Sequence, residues 1–483
     1  MTSSSSTNSD LPLRKIPGSY GIPYFSAVKD RLDYFYYQGK TEFFKSRQEK
    51  YQSTIFRHYN TPGPFMAPNS KVICLLDAIS FPVLFDTTKV HKENGLFGTF
   101  MPSLSFYGGF APLSCQDPLN PTHMKFKSLY LSHLASRHDQ YIPLFQMGLS
   151  ELFTNLESQL ADKSSANFSA QVQNTAFDYI FRLVFNKNPT DTKLGSDGPG
   201  IISKWVGLQL SPVIAMGLPY IPDIIEDFLL RTFRLPFFLV KSDYKKLYDI
   251  VVESSTSILD KAEEMGLARE QTAHMLISAN FFNGSLGIQT FAPILIKWIG
   301  LGGEKLHKQL ADEIRGIVAS SNGETLTVSD LEKMVLAKSV VYEALRIEAP
   351  ITNQFGIAKK DLVIQNHENS FEIKKGEILM GFQPFASNDP KIFKNPDEFI
   401  ADRFVGEDGE KLLEYMYWSG GRETENPREN TRQCPGKNMV LLIQRLMVAE
   451  IFLRYDTFTV EIGKSPLGST VTIKSMTRRA TTG

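Results

Sequence analysis

The chain has 483 residues, of which 42% are hydrophobic and 22% charged, and its 52 basic and 52 acidic side chains cancel. This composition is that of a folded globular protein and excludes a disordered or fibrous chain. The charge balance gives no reason to expect a nucleic-acid partner. At this length, one large domain and two domains are both allowed.

The start of the chain is expected to be unstructured. Residues 1–15, rich in serine and threonine, are expected to form a disordered tail, and residues 16–483 a single domain, because no linker divides them. The tail lacks the apolar stretch of a signal peptide or membrane anchor. We therefore expect a cytoplasmic protein, with a plastid address as the alternative.

The predicted elements follow in chain order. Residues 205–240 are strongly apolar, but four prolines interrupt them, which excludes a continuous membrane-spanning helix. Apolar side chains recur at helical spacing over residues 306–317. Ser329 and Glu332 predict a capping box for a helix that ends before Pro350. A further helix, buried in the protein, is predicted over residues 439–455.

Strand patterns cluster late in the chain. Residues 362–364 and 371–373 flank a polar turn, and alternating apolar residues mark 458–462 and 471–473. The sequence therefore predicts a mainly α fold with small peripheral β-sheets.

Cys434 carries the strongest chemical signal. Three cysteines far apart are not a disulfide framework and indicate a reducing compartment. Cys434 stands in Arg432-Gln-Cys-Pro-Gly436, just before the predicted C-terminal helix, where unpaired N–H groups favour a thiolate. Alone, this pattern also fits an inert buried cysteine.

Other residues, in the same order along the chain, extend the pattern. Glu343-Ala-Leu-Arg346 and then Arg403 precede the cysteine loop. This order resembles the Glu/Arg/Arg lock and cysteine loop of cytochromes P450. The resemblance implies the P450 fold and haem b, with Cys434 as the axial ligand of the iron. It also implies that His123, Lys127 and Arg432 bind the haem propionates.

The cysteine loop resembles one subgroup in particular. Ten residues, 422–431, intervene between Trp418-Ser-Gly-Gly421 and Arg432. This insertion resembles the plant fatty-acid hydroperoxide-converting P450s: allene oxide synthase, hydroperoxide lyase and divinyl ether synthase. Ile16-Pro-Gly-Ser-Tyr-Gly21 and Lys338-Ser-Val-Val-Tyr-Glu343 extend the resemblance to nearly the whole chain.

The resemblance assigns a chemistry. Where a monooxygenase keeps an acid for proton delivery, this chain has Gln289, and an amide supplies no proton at neutral pH. A substrate that already contains an O–O bond needs neither dioxygen nor a redox partner. By the resemblance, Asn283 hydrogen-bonds the hydroperoxide, and Phe97 and Ser114 steer the epoxyallylic intermediate that follows O–O cleavage. Structural roles for Phe97 and Ser114 remain open.

Leu286 decides the predicted product. Allene oxide synthases and lyases carry two adjacent glycines where this chain has Leu286-Gly287, whereas divinyl ether synthases replace the first glycine with a larger residue. A difference of ~1.4 kcal/mol between competing barriers changes a product ratio tenfold. We therefore predict a divinyl ether synthase, with allene oxide synthase and then hydroperoxide lyase as alternatives, and do not assign the 9- or 13-hydroperoxide as substrate.

Two other classes of function remain as alternatives, namely an NADPH-dependent monooxygenase and a haem-binding sensor. The expected partner is an unsaturated fatty-acid hydroperoxide in a deep apolar pocket. Residues 205–240 are expected to form its entrance and to make peripheral membrane contact. The oligomeric state is not predicted.

Overall fold

The computed structural model describes residues 11–67, 69–96, 99–321, 326–466 and 468–480. Within these ranges most of the chain is helical. The α-helices are α1 (Phe25–Leu32), α2 (Lys40–Tyr51), α3 (Pro121–Ser136), α4 (Tyr141–Lys163), α5 (Phe168–Phe185), α6 (Gly198–Leu210), α7 (Asp223–Thr232), α8 (Lys241–Ser254), α9 (Thr256–Glu264), α10 (Arg269–Ile277), α11 (Leu286–Ser320), α12 (Val328–Lys333), α13 (Val335–Ile347), α14 (Gln383–Ala386), α15 (Gly406–Lys411) and α16 (Lys437–Arg454).

Ten strands in the described ranges form three sheets. The strands are β1 (Ile55–Tyr59), β2 (Lys71–Leu75), β3 (Val90–His91), β4 (Ala166–Asn167), β5 (Asn353–Ala358), β6 (Leu362–Gln365), β7 (Ser370–Ile373), β8 (Ile378–Phe382), β9 (Tyr455–Ser465) and β10 (Gly468–Arg478). The sheet orders are β1-β2-β8-β5-β3, β4-β10-β9 and β6-β7. β2 and β8 run parallel, with Ile73 opposite Leu379.

The predicted mainly α fold with small sheets is confirmed. The strands predicted at 362–364 and 371–373 are the antiparallel pair β6 and β7. Those predicted at 458–462 and 471–473 are β9 and β10, with Val460 opposite Ile473. The buried C-terminal helix is α16, on which most side chains are inaccessible to solvent.

One helix start was predicted at the wrong residue. Thr327, not Ser329, caps α12: its hydroxyl accepts from the Asp330 backbone N–H at 3.2 Å, and the Asp330 carboxylate accepts from the Thr327 backbone N–H at 3.1 Å. The prediction failed because the sequence offers two overlapping boxes, and here Asp330 takes the role that glutamate or glutamine usually has. The expected single helix is also two, because Met334 leaves the helical conformation between α12 and α13.

The longest helix lies in the core. Residues Arg269–Ser320 are long and apolar enough to cross a membrane by length and composition. Many side chains of α11, including Phe291 and Leu295, are nevertheless buried against other elements of the protein. At Gly303 the backbone takes φ 65°, which breaks the helical path of α11.

The main apolar cluster draws members from Met66 to Ile473. This continuity supports our proposal that residues 16–483 form one domain. Contacts begin earlier than the predicted boundary of the tail, since Leu13 pairs with Ser370 and the Arg14 backbone N–H donates to the Ser370 carbonyl at 2.9 Å.

Candidate active site

Cys434 lies three residues before α16, in a loop fixed by backbone hydrogen bonds. Its N–H donates to the Ser419 carbonyl at 2.8 Å, and its carbonyl accepts from Lys437 at 3.1 Å. Cys74 and Cys115 are buried, whereas Cys434 is partly accessible. Cys434 is therefore the one cysteine of the three that is not fully buried.

The position of Cys434 before α16 led us to expect a lowered thiol pKa, but the pKa is raised. Burial raises the pKa of the thiol, and the Gly436 N–H and the Lys127 charge oppose this shift without overcoming it. The helix N-terminus alone therefore does not make a thiolate here. A metal cation in place of the proton removes that cost, because metal binding deprotonates a coordinating thiol.

Arg432 connects the cysteine loop to the segment before α3. Its guanidinium donates to the backbone carbonyls of Gln116, at 2.7 Å, Lys92, at 3.1 Å, and Ser114. Burial lowers its pKa. The structure thus places Ser114 beside the cysteine loop, and the contact with Arg432 uses the Ser114 carbonyl oxygen. Steering of the substrate by the Ser114 hydroxyl stays a prediction.

His123 and Lys127 lie one turn apart on α3, and both side chains are buried. The Lys127 ammonium donates to the carbonyls of Thr431 and Gln433, the latter at 2.7 Å. Burial, opposed by Cys434, lowers the pKa of Lys127 to about 7. Burial together with the charges of Lys127 and Arg432 lowers the pKa of His123 to about 3, and His123 Nδ1 has no hydrogen-bond partner in the described chain.

Lys92 was missed by the sequence analysis. It directly follows β3, is only 5% exposed, and its ammonium lies 5.1 Å from the centre of the Phe85 ring. Burial, and then the charge of Arg432, push its pKa well below the ordinary lysine value. A single lysine after a short strand carries no sequence signal, since its burial depends on residues far along the chain.

These four basic side chains form no ion pair with a carboxylate of the described residues. Burial disfavours the charged forms of these groups, and Asp117 only partly offsets that cost for Lys92, His123 and Arg432, so a bound anion would stabilise the charged cluster. Haem b fits this requirement, because it carries two propionates and an iron that takes a thiolate. His123, Lys127, Arg432 and Lys92 would hold the propionates, and Cys434 the iron.

The segment before α11 is a π-helix, Ser278–Ser285. In it the Asn283 side-chain amide donates to the Ser278 carbonyl, five residues back, at 3.2 Å. Asn283 is exposed although Phe282 and Ser285 beside it are buried. A Cβ added at Gly287 would meet no atom within 4 Å. Residues four apart share a helix face, so Asn283 and Gly287 border the same open space. Single π turns are frequent at functional sites.

Leu286 begins α11 next to this open face. Its side chain is partly buried and packs on the main apolar cluster, and its carbonyl accepts from the Thr290 hydroxyl at 2.7 Å. Leu286 therefore flanks the face that Asn283 and Gly287 share. Phe97, the remaining predicted steering residue, lies outside the described residues.

The predicted Glu/Arg/Arg lock is present as a buried network. Arg346 Nε lies 2.7 Å from Glu343 Oε2, and Arg403 Nε lies 2.9 Å from Glu343 Oε1. Both members of the first pair are fully buried. The lock joins α13 to residues 394–403, upstream of the cysteine loop.

The comparisons with known proteins agree with this architecture. A cytochrome P450 family model matches residues 304–473. The chain is 52% identical over 468 residues to allene oxide synthase 1, chloroplastic, of Solanum lycopersicum, covering 97% of this chain and 87% of that protein. It is 49% identical to allene oxide synthase 3 of the same species, covering 99% and 97%. It is 45% identical to 9-divinyl ether synthase of Capsicum annuum, covering 99% of each.

Identity at this level over nearly the full length confirms the family that the cysteine loop indicated. It also confirms the haem-thiolate cofactor. The chain belongs to the plant fatty-acid hydroperoxide-converting cytochromes P450.

Proposed function

We propose that the chain dehydrates a polyunsaturated fatty-acid hydroperoxide to an allene oxide, without dioxygen or reductant. The observation that carries this choice of product is the 52% identity to an allene oxide synthase over 97% of the chain, against 45% to a divinyl ether synthase. Similarity thus favours the allene oxide over the divinyl ether predicted from Leu286.

The side chains on the open face support this chemistry. When bound, haem supplies the iron that cleaves the O–O bond. The amide of Asn283 both donates and accepts hydrogen bonds, which suits a hydroperoxide, and it stands exposed on that face. Orienting the peroxide there lowers the entropic part of the barrier. Loss of water from the hydroperoxide balances the reaction, so no external electrons are needed.

A divinyl ether is the second candidate, and Leu286 is the observation that favours it. The product branch depends on a few side chains beside the substrate, whereas overall identity mostly reflects the core and the surface. A branched side chain flanking Asn283 restricts how the substrate folds there, and ~1.4 kcal/mol between barriers is enough to reverse the main product.

Product analysis tests the proposal. Haem-loaded protein is mixed with 9- and 13-hydroperoxides of linoleic and linolenic acid, without NADPH, and the products are identified by mass spectrometry. We expect ketols, which form when an allene oxide hydrolyses. Divinyl ethers would overturn the first candidate in favour of the second, and short aldehydes would overturn both in favour of lyase activity. A strict requirement for NADPH would indicate a monooxygenase, and no turnover a sensor.

We further propose that α7 contacts a lipid surface. The polarity of this helix is inverted relative to a helix packed in water. Of its four charged residues, Glu226, Asp227 and Arg231 are buried, and only Asp223 in the first turn is exposed. Its outward face is apolar, with exposed side chains that include Ile224, Ile225, Phe228 and Leu229.

The inward charges hold α7 against the N-terminal part of the chain. Arg31 of α1 bonds Asp227 at 2.5 Å and also donates to the Gly63 carbonyl at 2.8 Å. Tyr36 donates to Glu226 at 3.0 Å. The same network ties α7 to the segments that carry a second exposed apolar group, made of Ile22, Tyr24, Phe25 and Phe65. A surface of this kind suits an enzyme whose substrate is a lipid.

Flotation with phosphatidylcholine vesicles tests the lipid contact. The double variant Phe228→Ser, Phe238→Ser removes apolar side chains that are 54% and 72% exposed. Phe237 is left unchanged, because it packs on Phe106 with ring centres 5.4 Å apart. We expect the double variant to lose most of its flotation. The control Leu301→Ser changes a residue of α11 that is 57% exposed and should float like the parent; equal flotation of all three proteins would refute the contact.

For the location in the cell, we propose the chloroplast. Two of the relatives from Solanum lycopersicum are named chloroplastic, whereas the comparisons do not support the predicted cytoplasmic location. Fractionation of plant cells that express the tagged full-length protein tests this, since recovery outside the chloroplast fraction would contradict it.

A further inference from the structure

The insertion before the cysteine, residues 422–431, contains one buried carboxylate. Its residues are mostly exposed or partly exposed, but Glu423 is 7% exposed. The Glu423 carboxylate accepts from the Trp418 indole N–H at 2.8 Å and from the Tyr342 hydroxyl at 3.1 Å. Its third partner is the Lys437 ammonium, at 3.3 Å. Three side chains thus bind the carboxylate of Glu423, which belongs to the inserted loop.

The three partners come from three elements that surround the cysteine. Tyr342 lies on α13, immediately before Glu343 of the buried lock. Trp418 lies at the start of the cysteine loop. Lys437 is the first residue of α16 and lies three residues after Cys434. Glu423 therefore connects the helix of the lock to both ends of the loop that carries Cys434.

The backbone of the insertion is bound to the same loop. The Lys437 ammonium donates to the carbonyls of Glu423 and Glu425, the latter at 2.7 Å. The Gln433 side chain donates to the Arg422 carbonyl at 2.8 Å and to the Glu425 carbonyl at 3.2 Å. The residue before Cys434 and the first residue of α16 are thus both held by the first four residues of the insertion.

We infer that Glu423 is a positioning residue, which fixes the sulfur of Cys434 by clamping its loop between α13 and α16. Glu423 touches neither substrate nor cofactor in this account and acts through Lys437, Trp418 and Tyr342. The inference rests on ligation of haem by Cys434, but not on which product the enzyme makes.

Glu423 and Lys437 form a buried ion pair, so the loss of either side chain affects the other. Burial raises the pKa of the Glu423 carboxyl, and the Lys437 charge and the bonds from Trp418 and Tyr342 oppose that shift. Removing one partner of a buried pair leaves the other charge uncompensated, which is more costly than losing an exposed pair. Without Glu423, Lys437 keeps only backbone carbonyls as partners, and the loop gains freedom to move.

The test measures the ligation of the iron rather than activity. Haem-loaded Glu423→Gln, Tyr342→Phe and the parent are reduced and treated with carbon monoxide. The half-life of the thiolate-ligated carbonyl spectrum is then compared, along with the thermal unfolding midpoint. We expect Glu423→Gln to shorten that half-life at least ~tenfold. Tyr342→Phe should shorten it less, and Glu423→Asp should restore part of it.

The matched control is Tyr455→Phe. Tyr455 also donates to a glutamate, Glu157, at 2.6 Å, but it lies at the end of α16 opposite the cysteine loop. The thiolate-ligated carbonyl spectrum of Tyr455→Phe should have the same half-life as that of the parent. If Glu423→Gln and Tyr342→Phe lower the unfolding midpoint and leave the half-life unchanged, Glu423 is only structural and the inference is wrong. Cys434→Ser is a separate test: if only this variant loses the thiolate spectrum, the result identifies the iron ligand and does not bear on Glu423.

Discussion

The Lys127 ammonium donates to the carbonyl oxygen of Gln433, the residue immediately before Cys434, at 2.7 Å. This contact joins α3 to the cysteine loop across 306 residues of chain. It also brings a buried cation to the place where haem carboxylates are expected. Lys127 thus contributes to both the loop geometry and the charge of the haem site.

Replacing Lys127 should therefore weaken haem binding. We expect Lys127→Met to lose haem at least ~tenfold faster to apomyoglobin than the parent, since a charge-assisted bond contributes ~1.5–3 kcal/mol. Haem transfer followed by absorbance measures this. Lys125→Met is the control, because Lys125 is exposed on the same helix; equal rates for the two variants would contradict the assignment.

The lock should govern global stability. Glu343→Gln leaves Arg346 and Arg403 without their buried carboxylate, a change that typically costs ~3–5 kcal/mol. We expect a clear fall in the denaturant midpoint, or no soluble protein. Asp312→Asn breaks an exposed pair with Lys308 and should stay within ~0.5 kcal/mol of the parent. A midpoint for Glu343→Gln as high as that of Asp312→Asn would refute the role of the lock.

Stability should fall in acid partly through His58. Its ring is buried among Phe43, Phe44 and Phe56, and burial lowers its pKa to about 4. The unfolded chain, with a histidine pKa of ~6.5, binds this proton first, so the contribution is complete above pH ~6.5 and is lost as pH falls towards 4. The loss amounts to at most ~3 kcal/mol.

The difference between the parent and His58→Phe isolates this effect from other titrating groups. Denaturant unfolding at a series of pH values should give a shallower slope for His58→Phe between pH ~6.5 and ~4. Parallel curves for the two proteins over that range would show that His58 does not titrate as its burial requires.

Leu286 should influence the product ratio without changing the first step. We expect Leu286→Gly to consume hydroperoxide at a rate similar to the parent, and to shift any divinyl ether fraction towards the allene oxide by about tenfold if the side chain changes one barrier by ~1.4 kcal/mol. Product analysis measures the ratio. Leu160→Ala, also partly buried against the core cluster, is the control. An unchanged ratio in Leu286→Gly would remove the support for the second candidate.

The sequence was informative where chemistry depends on local order. Arg432 and Cys434 stand two residues apart, and Glu343 and Arg346 one helical turn apart, so their relation is visible in the printed chain. The strands β6 and β7 were likewise predictable, because a polar turn separates two short apolar runs.

Other features depend on distant partners. The π-helix around Asn283 has no sequence signature that distinguishes it from an α-helix of the same composition. Lys92 becomes part of the site only because Arg432, 340 residues later, donates to its carbonyl. The inverted polarity of α7 was also hidden, since it requires the buried partner Arg31 on α1.

The most direct test of the central claim is turnover of a fatty-acid hydroperoxide without an electron donor or oxygen. Purified, haem-loaded protein is mixed with a linolenic acid hydroperoxide under argon and without NADPH, and loss of the conjugated diene absorbance is followed. Our account predicts rapid consumption at a rate that NADPH, reductase and oxygen do not change, and no consumption by Cys434→Ser. Consumption that appears only when NADPH, reductase and oxygen are all present would contradict it.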